Sequence, residues 1–237
     1  MIATVHLVDR GVRSTLRSLG LAPQPDETPG LREARTVIAA PLGGRVPAPQ
    51  FGRLGLVAFW EDDAAVDAFL AGDHPLVERL AGGWSARLDP LRAVSVADGH
   101  FPGVPTDLPD GPDDGQSDGP VVVLTIGHLR RRRTIPFLRA SNRAERQVVG
   151  SPGLLWATGL ANVGQSVVAT LSLWASSGPP HAYATSTDGH TRAMREDRQR
   201  SFHHAGSFVR LRPYAVTGSL DGRNPLPDAV FEPAGLS

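Results

Sequence analysis

The 237-residue sequence contains no cysteine and no lysine. Without cysteine there can be no disulfide scaffold, Cys-ligated zinc, iron–sulfur cluster, thiolate-bound haem or cysteine nucleophile, so any metal chemistry must use His, Tyr, Met or carboxylates. Without lysine there is no Schiff-base chemistry. All 24 basic residues are arginine, and 24 acidic residues balance them to a formal net charge of zero, which leaves no basic excess to gather against a phosphate backbone. No apolar run approaches the ~18 residues of a membrane span. The start, Met1 to Arg10, lacks a basic n-region and meets charge at Asp9, too early for a secretory h-region, so a cytoplasmic protein is expected. There is no Gly-rich dinucleotide fingerprint or phosphate loop, and Gly164-Gln165-Ser166-Val167-Val168 lacks the second glycine of a nucleophile elbow.

What the sequence does contain, it contains twice. Trp60 answers Trp174, Ala68-Phe69 answers Ala182-Tyr183, His74 answers His190, and Arg87-Leu88-Asp89-Pro90 answers Arg210-Leu211-Arg212-Pro213. Upstream, Pro29-Gly30-Leu31 parallels Pro152-Gly153-Leu154 and His6-Leu7 parallels His128-Leu129, and each copy closes on Asp-Gly at Asp98-Gly99 and Asp221-Gly222. A repeat of this period means two copies of one domain. The expected division is a first repeat over 1–99, a Pro-, Gly- and Asp-rich linker over 100–119, a second repeat over 120–225 and a tail over 226–237.

In the first copy, Ile2–Val8 alternates as a strand, followed by a short amphipathic helix through Val12, Leu16 and Leu19 that Pro23 and Pro25 end. Strands over 36–40 and 54–60, a helix over 61–80 broken near Gly72, and a strand over 84–96 complete it. The second copy follows with strands over 121–126, 154–160, 167–174 and 208–216 and helices over 134–149 and 182–199. The order β-α-β-β-α-β is the ferredoxin-like unit, and two such units in one chain form an α+β fold, an intramolecular dimeric α+β barrel. Ligand space in such a barrel lies between each sheet and its helices or between the sheets.

The second copy carries residues specific enough to suggest a family. His190-Thr191-Arg192-Ala193-Met194, then Phe202, Phe208 and Arg210, resembles the C-terminal motif of the spheroidene monooxygenase family, which reads H-x-x-A-I/M, a Trp, then F-x-R-F before the end of the last strand. Pro152-Gly153-Leu154-Leu155-Trp156 with Gly159-Leu160, and Thr170-Leu171-Ser172-Leu173-Trp174, are similar to that family's P-G-L-L-F, G-I-G and T-F-S-L-W. The pattern departs where G-I-G-E becomes Gly159-Leu160-Ala161-Asn162, the Trp becomes Phe202 and a Glu becomes Ala205. The resemblance implies a haem-containing monooxygenase that introduces oxygen into a carotenoid.

Haem then needs an axial ligand. His190 is the first choice, because Ala193 and Met194 at i+3 and i+4 would share its helix face and lie flat against a macrocycle; the competing reading is a helix-start His facing solvent. His74 is read as structural, with Pro75 in a helix's first turn, and His181 as a turn residue, with a distal donor or second ligand as the alternatives. His203-His204 reads as a solvated loop whose adjacent side chains diverge. Strand periodicity puts Phe208, Arg210 and Arg212 on one face and Val209 and Leu211 on the other; with the arginine face inward Arg210 would hold a haem propionate, with it outward Arg210 is a surface charge, and an arginine repeated as Arg87 in copy one can equally be a structural ion-pair partner. Arg130 to Arg133 is read as a solvated helix end rather than a nucleic-acid contact, and Trp60 and Trp174 as core.

The leading expectation is a haem-dependent monooxygenase acting on a hydrophobic, carotenoid-like substrate, with His190 as metal ligand, Arg210 and Met194 against the cofactor, and electrons from a separate reductase, since no flavin or nicotinamide motif is present. One alternative is a cofactor-free monooxygenase or isomerase of the same barrel class acting on an aromatic polyketide-like substrate. The other is a non-catalytic barrel that binds a small molecule.

Overall fold

The computed structural model describes residues 1–42, 51–95, 99–106, 108, 119–133, 137, 149–162, 164–176, 178 and 202–226. Eight strands close into a barrel: β1 (Ile2–Asp9), β2 (Leu31–Pro41), β3 (Arg53–Trp60), β4 (Trp84–Ser95), β5 (Val121–Leu129), β6 (Leu154–Asn162), β7 (Val167–Trp174) and β8 (His203–Thr217). Around the barrel they run β1-β3-β2-β6-β7-β5-β8-β4, every described pairing antiparallel. Each half therefore has the strand order of a ferredoxin-like unit, β4-β1-β3-β2 and β8-β5-β7-β6, and the halves join at β2–β6 and β4–β8. Closure removes the open sheet edges that each half would otherwise present. The expected pair of ferredoxin-like units in one α+β barrel is what the chain forms.

Three helices cover the first half: α1 (Val12–Ser18), α2 (Asp63–Ala71) and α3 (Pro75–Leu80). Asp62 caps α2 through the Ala65 amide, and the expected break at Gly72 separates α2 from α3. His74 is structural as expected: its Nδ1 accepts from the Leu76 amide at 3.2 Å, with Pro75 opening the helix behind it. The helices expected over 134–149 and 182–199 fall almost wholly outside the described residues. Among the described residues no helix is long and apolar enough to cross a membrane.

Pleating sorts the side chains into two sets. One set points into the barrel: Ala3, Val5 and Leu7 of β1 meet Val122, Leu124 and Ile126 of β5, Leu171 and Leu173 of β7, and Val209 and Leu211 of β8 in one continuous buried cluster. Phe101 and Val104, from the start of the linker, and Leu226, from the start of the tail, belong to the same cluster. The space between the two sheets is thus packed with apolar side chains. The other set points outward, and in the first half it packs under Val66, Phe69, Leu76 and Leu80 of the helices.

Two local expectations are corrected. β2 and β8 begin earlier than the alternation suggested, at Leu31 and His203, because bulges near Leu31 and His203 interrupt the period without ending the ladder. In α1 the apolar stripe does not face the core. Thr15 and Ser18 are buried, with the Thr15 hydroxyl donating to the Gly52 carbonyl, while Val12 and Leu16 are 50% and 49% exposed.

Candidate functional site

The strand ladders allow the two halves to be superimposed residue by residue. Ile2 lies opposite Trp60 and Val121 opposite Trp174, and each Trp also pairs across to a leucine, Leu31 or Leu154, that precedes a bulge. Just upstream, Gly30 and Gly153 both adopt positive φ, and their carbonyls accept from the Glu61 and Ala175 amides at 2.8 and 2.9 Å. The register corrects one parallel drawn from sequence. Counting from the Trp pairs, His6 corresponds to Thr125, and His128 corresponds to Asp9, so the His-Leu dipeptides are not equivalent. Arg87 and Arg210 are equivalent, opposite Thr4 and Val123 respectively.

The tryptophans are core residues in both halves, yet their indole N–H groups are satisfied differently. Trp60 donates to the Thr4 hydroxyl on β1, whereas Trp174 donates to the Ser172 hydroxyl on its own strand, both at 2.9 Å. The second half has Val123 in place of Thr4 and Ser172 in place of Ala58, so the acceptor has moved strands while the buried donor keeps a partner.

The same superposition shows where the halves diverge. On the first outer face His6, Val8, Thr36, Ile38, Leu54 and Leu56 are all buried. Their second-half counterparts are Thr125, Gly127, Gly159, Ala161, Val168 and Thr170, and all but Gly127 are half-buried. The second face has on the order of a dozen fewer non-hydrogen side-chain atoms, which a close-packed sheet–helix layer would register as space. This less filled face, the trough, carries Thr125 and Thr170 opposite each other on β5 and β7. One end is closed by Val121, Val123 and Trp174 with Leu154 and Phe208 against them. At the other, His203 lies over Gly127, so close that a Cβ on the glycine would come 2.7 Å from the His203 ring, and Phe137 meets that ring edge-on with centroids 5.0 Å apart.

Arg210 projects onto this face from β8 beside Phe208, while Val209 and Leu211 enter the barrel; the expected alternation holds, and the structure decides that the arginine face is the outer one. In the first half Arg87, at the equivalent place, is held by Asp63 and Asp67 of α2, and Asp63 also accepts from the Tyr214 hydroxyl at 2.9 Å. Arg87 is therefore structural. These contacts push the Arg87 guanidinium up, Asp67 most strongly, and burial first, then Asp63, raises the Tyr214 hydroxyl. His6, beneath the same helices, is held neutral: burial first and Arg87 second lower it to about 4.

Of the residues singled out from sequence, Arg210 is on the trough, and His190, Met194 and His181 lie outside the described residues. His203-His204 is not a solvated loop. Both residues open β8 and diverge, His203 over the trough and His204 stacked on His128 with ring centroids 5.4 Å apart. Arg130 is exposed at the end of β5, and Arg131–Arg133 form an exposed 3-10 turn, in keeping with a solvated end. Sequence reasoning missed Thr125, Gly127, Gly159, Thr170 and His203. The signal was present in the repeat, as large-to-small exchanges at outward positions, but reading it needed the correct register.

A second polar cluster occupies a barrel end. His128 stacks on Phe101 at 4.8 Å, the Arg35 guanidinium carbon lies over the Phe101 ring 5.8 Å from its centre, and Glu33 pairs with Arg35. Burial, then Arg35 and His204, lower the His128 imidazole, and burial raises Glu33 against the pull of Arg35. Among the described residues no group of three or more His, Asp or Glu side chains is placed to hold a metal ion.

No family model matches the chain. Two curated relatives do. Spheroidene monooxygenase of Rubrivivax gelatinosus is 30% identical over 199 residues, covering 82% of this chain and 73% of that one. The enzyme of the same name from Rhodobacter capsulatus is 24% identical over 197 residues, covering 80% and 78%. Among solved structures, an aldoxime dehydratase aligns over 92% of this chain and 81% of its own at 13% identity, with a TM-score of 0.47. The first of these relatives is matched across both halves of the barrel at a level that chance does not reach, and the chain belongs to the spheroidene monooxygenase family.

Proposed function

We propose that this protein is a haem-dependent monooxygenase whose reaction chamber is the outer trough of the second half, acting on a hydrophobic polyene of the carotenoid kind. The observation that carries the reading is the asymmetry between the two outer faces: the first is filled by His6, Ile38, Leu54 and Leu56, and the second is cleared to Thr125, Ala161, Val168 and Thr170. The names of the two relatives supply the reaction class and the substrate type.

The residues of the trough fit a flat macrocycle. Gly127, Ala157, Gly159 and Ala161 present almost no side chain, and Arg210 offers a guanidinium fork suited to a propionate. His190 would ligate the haem iron, with Met194 against the cofactor, and His203 would stand at the edge as a hydrogen-bond partner. Haem supplies oxygen activation when bound, with one oxygen atom entering the substrate and the other leaving as water at the expense of two electrons from a separate reductase. This chain's own part is to orient and to exclude water. The Trp174, Leu154 and Phe208 end packs an apolar substrate, and the packed barrel interior directs ligands to the outer face. Such a protein would work in the cytoplasm.

The test is an absorption spectrum of protein purified from haem-supplemented cells, with His190→Ala and Arg210→Ala beside it. The expected result is a Soret band that is lost in His190→Ala and weakened in Arg210→Ala. A colourless wild type that also fails to take up added hemin would overturn the haem assignment and leave the cofactor-free and binding-only barrels to be separated by ligand screening.

A further inference from the structure

Six large apolar residues are exposed among those described, and three of them, Val12, Leu16 and Phe51, lie in one region. Val12 and Leu16 are one turn apart on α1. Phe51, 45% exposed, precedes Gly52, whose backbone is packed against Gly11 and whose carbonyl accepts from the Arg10 amide and the Thr15 hydroxyl. Beside them is a cleft of about 710 Å3 lined by Arg10, Arg13, Arg17 and Arg79, with Glu78 its single carboxylate.

Among the described residues no carboxylate forms an ion pair with these arginines. Arg10 donates to the Arg79 carbonyl at 2.8 Å and to the Glu78 carbonyl at 3.2 Å, and Arg79 donates to the Ser18 hydroxyl at 3.1 Å. Their partners are carbonyls and a hydroxyl, which fix α1 to α3 and leave both charges in place. Arg13 and Arg17, exposed one turn apart, form no ion pair with the described residues. The nearest acid in sequence, Asp9, is engaged by Arg53. Four cations therefore stand next to an exposed Val, Leu and Phe.

We infer that this face is a docking surface for an anionic phospholipid bilayer. An isolated anion such as free phosphate accounts for the arginines but not for three apolar side chains turned to solvent, whereas a bilayer interface takes both: phosphates meet the guanidinium groups, and Phe51, Val12 and Leu16 enter the acyl boundary. The outward turn of the α1 apolar stripe has the same explanation, since Thr15 and Ser18 satisfy the inward side. This inference does not rest on the haem assignment and stands or falls separately.

The experiment is vesicle flotation of the full chain with phosphatidylcholine vesicles, alone or with about one third phosphatidylglycerol. Wild type should partition onto the anionic vesicles, much less onto neutral ones, and high salt should release it. Arg13→Ala with Arg17→Ala should weaken partitioning about 25-fold, on the order of fivefold for each charge removed from the surface. Neither arginine supports the fold through a described contact, and circular dichroism checks that it is retained. Leu16→Ser should weaken binding without changing its salt dependence. Equal affinity for neutral vesicles, or an unchanged double variant, would overturn the proposal. Complete release by millimolar inorganic phosphate at constant ionic strength would also overturn it, marking the cleft as a free-anion site.

Discussion

Replacing Ala161 with isoleucine restores to the second face the residue that its first-half counterpart, Ile38, carries. Two opposite effects follow from the trough. In the ligand-free protein the three added carbons enter space that the first half fills, and at about 0.8 kcal/mol per buried methylene the gain is up to ~2 kcal/mol. For a chain of this size, with ~2–4 °C per kcal/mol, the melting temperature should rise by roughly 4–8 °C. In the loaded protein the same carbons overpack the ligand, at a cost of ~1–3 kcal/mol, or roughly 5- to 150-fold in affinity. Adding Thr170→Leu, the counterpart of Leu56, should deepen the loss. Differential scanning fluorimetry of the apoprotein and hemin titration read the two effects independently. A lower melting temperature with unchanged hemin uptake would refute the reasoning, because it would mean that the face is already filled and that the ligand lies elsewhere.

Other predictions follow from individual contacts. His6 keeps its neutral form down to about pH 4, whereas in the unfolded chain it titrates near 6.5, so below pH 6.5 the unfolded state takes up a proton that the folded state refuses. Stability should be level above pH 6.5 and fall by roughly 3 kcal/mol between pH 6.5 and 4 from this residue, and urea unfolding of His6→Leu should lack that component. Asn162, buried at the β2–β6 seam, donates to the Thr36 and Leu19 carbonyls at 2.8 and 3.1 Å and accepts from the Gln165 amide. Asn162→Asp should therefore cost about 3 kcal/mol or more at neutral pH by chemical denaturation, and recovery of stability on mild acidification is the accompanying signature. Gly127→Val, which restores the residue equivalent to Val8, should drive the His203 ring off the trough floor and shift a Soret band if haem is bound there. An unchanged spectrum would remove His203 from the cofactor's surroundings.

The Asn162 contacts also account for a departure from the family pattern. Where the family's motif has a glutamate, this chain needs a side chain that donates twice to main-chain carbonyls, which a carboxylate cannot do. The position serves the joint between the halves.

The sequence by itself determined the paired halves, the strand order, the helices of the first half, the buried tryptophans and the family, because these rest on periodic apolar burial and on residues whose spacing is fixed along the chain. The alternation of Arg210 with Val209 and Leu211, the structural role of His74 and the break at Gly72 were legible for the same local reason. What only the tertiary structure decided was which positions face each other. The His6-Leu7 and His128-Leu129 match looked equivalent until the Trp60 and Trp174 ladders set the register three residues away. The amphipathic pattern of α1 does not reveal that Thr15 and Ser18 meet the Gly52 carbonyl and Arg79, and the composition of the linker does not place Phe101 against His128 and Arg35. In each case a side chain's environment is made by residues distant along the chain, and a trough that exists as missing volume has no residue of its own to announce it.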